Sequence, residues 1–461
     1  MKLIVIGAGS SGLGVALAAA RRGWQVEVLE ARDIGGGTST TSTKLIHGGV
    51  RYLESALKRL SYLDWKLVRE ALQERAWMLQ SHPVLCHPMP ILLPIKNHLE
   101  KLYYGFGLWL YDRLSYPHSI SKTEWIDKVS LYQKFPRLLE GYKGAWQYWD
   151  GQFVDRLYAV HVALFLRQRY GVEIRTHAKV VSIKPQVQEV IVEAQLRDGS
   201  RYETKGAYVV NATGPWADEL RRLVRPGIPA RLRLSRGSHL VFRREDLPVE
   251  GGFLIPKTKD GRLLFVLPWI EGTVLVGTTE EEVGEPIWLA EVSDAEERFL
   301  LEHIRGYFAV GDLEVRARFA GYRPLVARKA ASTAKLARTH VVEVWAPERF
   351  ISVMGGKWTT YRQMGEDVVA AIARLAGRPL EVGEPVLSVQ PDWRELEKCQ
   401  RENPQPVILG LSYAWGEVHF WRKLGWAQEV DDIVAGRWLL PFYDQGKAQQ
   451  VREALLRGWD P

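Results

Sequence analysis

Three glycines near the N-terminus stand at the spacing Gly7-x-Gly9-x-x-Gly12, and a carboxylate, Glu30, follows 18 residues after the last of them. Glycine at the first position permits a tight turn. At the second it lets backbone approach a pyrophosphate, and at the third it lets a helix lie close on a strand. A carboxylate at Glu30 is placed to accept from ribose hydroxyls. The chemistry is that of holding a dinucleotide, either NAD or FAD. Just beyond lies "GTSTTSTKLIHGGVRYLE", Gly37–Glu54, which gathers hydroxyls, a lysine, a histidine and a Gly-Gly pair. A surface turn held by local Ser/Thr bonds explains the hydroxyls. It does not explain the Lys-x-x-His-Gly-Gly-x-Arg-Tyr sequel.

The elements that must position these groups are legible around them. "KLIVIGAG" is a short apolar, β-branched run of the kind that forms a buried parallel strand. Leu13, Ala16, Leu17 and Ala20 then share one helical face until Gly23. "WQVEVLE" follows as a second strand ending at Glu30. "AYVVNATG" (Ala207–Gly214) reads as another strand ending at a glycine, and "GVEIRTHAKVVSI" as a strand pair. In "GGKWTTYRQMGEDVVAAIARLAGRP", Thr360 with Gln363 predicts a capping box. Met364, Val368, Ala371, Ile372 and Leu375 form one apolar face, and Gly377 with Pro379 stops the helix. Gly355, Gly356 and Lys357 therefore lead straight into a helix N-terminus.

At 461 residues the chain is too long for one core, so two or three domains are expected. A hydrophobic fraction of 46% argues against wholesale disorder. Two distant cysteines, Cys86 and Cys399, and no Cys/His cluster predict a reducing compartment and no metal site. Apolar runs are too short to span a bilayer, and a strand begins at once without a signal peptide. The expected location is cytoplasmic, or peripheral on the inner face of the cytoplasmic membrane. A net charge of +8 suits an anionic partner, and no nucleic-acid motif accompanies it.

The run "TSTKLIHGGVRYLE" resembles the hallmark of FAD-dependent glycerol-3-phosphate dehydrogenases, a group that includes glycerol-3-phosphate oxidases. The likeness continues in "VNATGPWAD", "RGSHLVF", "FVLPWIEGTVLVGTTEEE", "GYRPL" and "GGKWTTYR", in the family's order across roughly residues 1 to 380. The resemblance implies an α/β fold: a Rossmann-like FAD-binding domain of the glutathione-reductase/D-amino-acid-oxidase type, an interleaved antiparallel-sheet substrate domain and a short helical C-terminal domain. The expected boundaries are 1–78, 145–220 and 325–386 for the first, 79–144 and 221–324 for the second, and 387–461 for the third.

The same resemblance implies site roles. Gly7, Gly9, Gly12, Glu30, Thr38, Ser39, Thr43, Lys44, Val181 (through its backbone), Thr213, Gly214, Gly355, Gly356, Lys357 and Thr359 would hold FAD. The positive helix end after Lys357 would favour the reduced anion. Arg51, Tyr52, Arg323, Arg338 and Lys357 would bind the substrate phosphate, with Arg328 and Lys329 competing for the place of Arg338. His47 and His239 are the candidates for taking a proton near neutral pH, with Arg323 beside the chemistry. The implied reaction is oxidation of sn-glycerol 3-phosphate to dihydroxyacetone phosphate, C2 hydride passing to flavin N5. Electrons would go to a membrane quinone. Oxygen as acceptor, a non-catalytic flavoprotein and oxidation of an amine remain alternatives. The aromatic segment "KLYYGFGLWLYDRLSY", Lys101–Tyr116, reads equally as a peripheral membrane contact or a buried cap helix. The tail "GWAQEVDDIVAGRWLLPFYD" reads as helical, and a homodimer is allowed.

Overall fold

The computed structural model describes residues 1–49, 62–327 and 340–459. Arg51, Tyr52 and Arg338, like the competitors Arg328 and Lys329, lie outside the described residues. One sheet runs in the order Val341–Trp345, Phe350–Met354, Tyr208–Asn211, Lys2–Ile6, Gln25–Leu29, Glu173–Arg175. Its neighbours are parallel except for the outer hairpin of Val341–Trp345 with Phe350–Met354. Leu3, Ile4, Val5, Val209 and Val210 are fully buried, because helices or sheet cover both faces. That double burial is why these strands are apolar throughout instead of alternating.

Helices Ser10–Ala20 and Tyr361–Leu375 pack on this sheet and on each other through glycine. A Cβ at Gly14 would stand 2.1 Å from the Tyr361 carbonyl oxygen, and one at Gly365 would stand 2.0 Å from the Gly14 oxygen. No side chain fits between these backbones. Met364, Val368, Ala371 and Ile372 are buried as their spacing predicts, with Leu375 half-buried. The expected capping box does not form. A 3-10 turn, Trp358–Thr360, precedes the helix, the Thr360 hydroxyl donates back to the Lys357 carbonyl, and Gln363 bonds Asp367. The predicted pair in "GVEIRTHAKVVSI" divides between two sheets. Glu173–Arg175 joins the parallel sheet, while Ala178–Pro185 starts a meander with Val190–Leu196 and Arg201–Gly206.

The second layer is a largely antiparallel sheet that includes Leu232–Arg243, Thr273–Gly277, Leu264–Trp269, Gly252–Ile255, Cys86–Ile95 and Gly144–Phe153. Ala317–Val326 pairs along Leu232–Arg243. Gly144–Phe153 pairs along its whole length with Cys86–Ile95, so it belongs to this sheet and not to the nucleotide-binding unit as the expected boundary at 145 has it. The chain returns to the first unit only with helix Asp155–Tyr170. The short strand Leu45–Ile46 pairs with Gly151 and Gln152, carrying the hydroxyl-rich loop from one layer into the other.

Helices Arg394–Glu402, Trp415–Lys423, Val430–Val434 and Gln445–Gly458 make up about half of the tail. Arg437, from "AGRW", is buried against Asp33 of the nucleotide loop at 2.7 and 2.9 Å, and Arg156 binds the same carboxylate. These cations hold Asp33 below the ordinary carboxylate range against the cost of its burial. Helix His98–Ser115 has one buried and one exposed side. Leu108 and Tyr111 are buried, while Leu99, Leu102, Tyr103, Phe106 and Trp109 are 50–81% exposed.

Candidate dinucleotide and substrate cleft

A cleft of about 1200 Å³ runs between the parallel sheet and the antiparallel sheet. Pockets for drug-sized ligands typically occupy about 300–1,000 Å³, so this one has room for a dinucleotide and a small second ligand. Part of its wall is built by the glycine turn. Gly7 adopts φ +104°, a conformation that L side chains rarely take. A Cβ there would meet the Ala212 carbonyl oxygen at 2.7 Å, and one at Gly12 would meet the Gly7 oxygen at 1.8 Å. The turn delivers Gly9, Ser10 and Ser11 to the cleft at the N-terminus of helix Ser10–Ala20, where backbone N–H groups favour an anion.

Ser39 accepts from the Ser10 N–H at 2.9 Å, and the Trp358 indole donates to the Ser39 carbonyl at 2.8 Å. The hydroxyl-rich loop is thereby tied at once to the first helix and to the Gly355–Thr360 turn. Glu30 lines the cleft at the end of its strand, accepting from Ala8 N–H at 2.7 Å and Arg32 N–H at 3.0 Å; burial holds it above the ordinary carboxylate range. Val181 also lines the cleft, at a break in register between Val180 and Ser182 that leaves it out of the ladder. Thr213, Gly214 and Trp216 also line it, and Trp216 packs beside Trp288, over which Arg32 sits at 4.6 Å.

The candidate chemistry lines the same cleft. His47, Arg323, Gly355, Gly356, Lys357 and Thr359 all line it, as do Thr38 and Thr43. Arg323 is held by Thr278 Oγ1 at 2.9 Å and the Thr279 carbonyl at 3.2 Å. Its guanidinium occupies the space above Gly237, where a Cβ would meet Nη2 at 2.3 Å. His239 is 2% exposed, stacks on Phe319 and shares a hydrogen bond of 3.1 Å between Nε2 and Thr43 Oγ1. Burial, with the Lys44 and Arg323 charges nearby, holds its imidazole well below the ordinary value, so it is neutral at physiological pH. A neutral imidazole in that setting positions Thr43 and is a weak proton acceptor.

Lys44 departs from its expected role. It does not line the cleft. It lies 1% exposed beneath the loop, paired with Asp155 at 2.8 Å to both carboxylate oxygens, bonded to the Thr40 carbonyl and surrounded by the rings of Trp269, Phe319 and Phe442. Asp155 also accepts from the Ser42 hydroxyl at 2.8 Å. The pair shapes the loop from below and offers no charge to a ligand. Gly12 likewise acts in packing, away from the cleft lining. Tyr148, Asp150, Arg262 and His340 are among the lining residues that escaped the sequence reading. Tyr148 and Asp150 come from a strand with no motif, Arg262 is held by Asp260 at 3.1 Å, and His340 is paired with Asp367 at 2.7 Å. Trp216 was visible inside the quoted "VNATGPWAD", but only as part of a block.

A glycine turn on a parallel sheet, a three-stranded meander and an antiparallel floor around one cleft define an FAD-dependent oxidoreductase fold of the D-amino-acid-oxidase type. Residues 2–362 match the family described as FAD dependent oxidoreductase. The chain is 37% identical over 390 residues to the mitochondrial glycerol-3-phosphate dehydrogenase of Homo sapiens, an overlap of 81% of this chain and 52% of that protein. It is 33% identical over 512 residues to the probable mitochondrial glycerol-3-phosphate dehydrogenase of Dictyostelium discoideum, covering 97% of this chain and 79% of that one. The solved glycerol-3-phosphate dehydrogenase of Bacillus halodurans, complexed with FAD, superposes with a TM-score of 0.66 at 25% identity, covering 99% of this chain and 75% of that one. L-alpha-glycerophosphate oxidase from Mycoplasma pneumoniae shares the fold, with a TM-score of 0.63 at 17% identity over 84% of this chain and 97% of that one. The chain belongs to the FAD-dependent glycerol-3-phosphate dehydrogenase family. It spans about half the length of the mammalian mitochondrial relatives it matches.

Proposed function

We propose that this chain oxidises sn-glycerol 3-phosphate to dihydroxyacetone phosphate and passes the electrons to a membrane quinone. The observation that carries the reading is one cleft lined both by the glycine turn, through Gly7, Gly9 and Ser10, and by Arg323, Lys357 and His47. The residues fit FAD: the Gly7–Gly12 turn and Ser39 suit its pyrophosphate, Glu30 a ribose, Val181 the adenine, and Gly355–Lys357 at the helix end the ring edge. Bound FAD supplies the two-electron acceptor for the hydride that leaves C2.

The chain's own residues do the rest. Arg323, with its fork fixed by Thr278 and Thr279, and Lys357 hold the phosphoester dianion. The C2 hydroxyl proton goes to a base on the cleft wall, and His47 is the histidine we assign to it, since burial and nearby cations leave His239 a weak proton acceptor. Among the described residues no helix is long and apolar enough to cross a membrane. The exposed face Leu99, Leu102, Tyr103, Phe106 and Trp109 is an apolar, aromatic surface of the kind that rests in a lipid interface. Through it we place the protein peripherally on the inner face of the cytoplasmic membrane, where it would meet quinone; a homodimer is compatible with this placement.

Purified protein given sn-glycerol 3-phosphate and a short-chain quinone under nitrogen should form one dihydroxyacetone phosphate per quinone reduced. Turnover that requires oxygen and yields hydrogen peroxide instead would replace the quinone with the oxidase alternative.

A further inference from the structure

Behind the cleft wall lies a buried polar cluster that the proposed chemistry does not use. Asp150, 1% exposed, lines the cleft from strand Gly144–Phe153. Its Oδ1 accepts from Arg75 Nη1 at 2.7 Å, from the Tyr111 hydroxyl at 2.7 Å and from the Gly48 N–H at 3.3 Å. The same Gly48 N–H donates to the Tyr111 oxygen at 3.0 Å. Arg75 is 1% and Tyr111 2% exposed. Gly48 is locked sterically as well: a Cβ there would stand 2.3 Å from Leu72 Cδ2 and 2.5 Å from the Tyr111 oxygen.

Three separate elements thus converge on one backbone amide, next in sequence to His47. They are helix Tyr62–Ser81 through Arg75, helix His98–Ser115 through Tyr111, and the antiparallel sheet through Asp150. A buried carboxylate must be paired to be tolerated. Burial raises Asp150 above the ordinary carboxylate range even with Arg75 against it. A polar cluster this deep rigidifies what it binds when fully satisfied. What it binds is the stretch that carries His47 into the cleft.

We infer that Asp150, clamped by Arg75 and Tyr111, is a positioning residue that sets His47 for the reaction by fixing the Gly48 amide. The inference rests on the reading of the cleft as a glycerol 3-phosphate oxidation site. It adds a mechanical link, because Tyr111 stands on the helix whose opposite face exposes Leu102, Phe106 and Trp109. Displacement of that helix would reach His47 through a single hydroxyl.

The test compares wild-type holoenzyme with Tyr111→Phe, which removes one oxygen, with Asp150→Asn, and with the double variant. Steady-state kinetics, flavin content and melting temperature are measured for each. A misplacement near an ångström costs up to about 100-fold in rate. Tyr111→Phe should keep its flavin and lower kcat roughly 10- to 100-fold, with KM for sn-glycerol 3-phosphate within about twofold of wild type, since Arg323 lies on a different strand. The double variant should be no slower than the worse single, because the groups act as one unit. A Tyr111→Phe enzyme with full flavin and unchanged kcat overturns the inference, as does a rise in KM alone or strict additivity in the double. Wild type that does not react with sn-glycerol 3-phosphate would instead overturn the functional reading beneath it.

Discussion

Asp155→Asn isolates the buried charge under the cofactor loop. The change keeps the side chain's shape and removes the partner of Lys44, whose ammonium lies 2.8 Å from both carboxylate oxygens and is 1% exposed. Breaking a buried pair by losing one partner typically costs about 3–5 kcal/mol. The lysine has an escape that caps the penalty: it can lose its proton. Its ordinary value is 10.5, and burial already holds it lower despite Asp155. Emptying it at pH 7 costs about 1.36 kcal/mol for each unit below 10.5, or about 4.8 kcal/mol, and at pH 9 only about 2 kcal/mol. In the variant the folded state carries neutral lysine while the unfolded state binds the proton, so the variant regains stability as pH rises. At about 2 °C per kcal/mol, the low end for large domains, the melting temperature should fall by 6–10 °C at pH 7. The gap to wild type should close by roughly a third to three fifths at pH 9. Melting curves at both pH values, each read against wild type, measure this. A drop under 2 °C at pH 7, or a gap that does not narrow by pH 9, would refute the claim that Lys44 is a structural ion buried away from the ligand.

Other consequences follow from the cleft. Arg323→Ala should stay yellow and raise KM for sn-glycerol 3-phosphate roughly 10- to 150-fold, the worth of a lost charged hydrogen bond of about 1.5–3 kcal/mol, as read in initial rates. His239→Gln should leave the pH profile of kcat/KM between 6 and 8 where it is in wild type, because a histidine held far below its ordinary value does not titrate there, whereas His47→Gln should lower kcat while the protein keeps its flavin. Burial also holds His82 at about 4 and His161 at about 3, in a pair 2.8 Å apart. Their unfolded values lie near 6.5, so the stability they provide is complete above that pH and lost as pH falls toward 4. Melting temperature should fall on acidification from 7 to 4.5, and less steeply in His161→Gln.

What was legible in the sequence was local. Gly7, Gly9, Gly12 and Glu30 carry their geometry within one strand, one turn and one helix, so spacing alone reports it. The ordered blocks named His47, His239, Arg323 and Lys357, and all four line one cleft, His239 and Arg323 from within the paired strands Leu232–Arg243 and Ala317–Val326. Lys44 could not be read this way: the carboxylate that removes it from the cleft is Asp155, 111 positions away. The same holds for Asp150, whose partners Arg75 and Tyr111 come from two helices, and for Arg262, one of 62 basic residues with no motif around it. The boundary at 145 failed because membership of a sheet depends on a strand's partner. Gly144–Phe153 meets Cys86–Ile95 only through long-range pairing. The Thr360–Gln363 box failed because the helix is entered through a 3-10 turn, which points the hydroxyl backward to Lys357.

The measurement closest to the central claim is anaerobic titration of the purified protein with sn-glycerol 3-phosphate, followed by visible absorbance. The yellow of bound flavin should bleach in proportion to added substrate, with dihydroxyacetone phosphate recovered in equal amount. A yellow protein whose spectrum does not change with this substrate, but bleaches with an amine or amino acid, would contradict it.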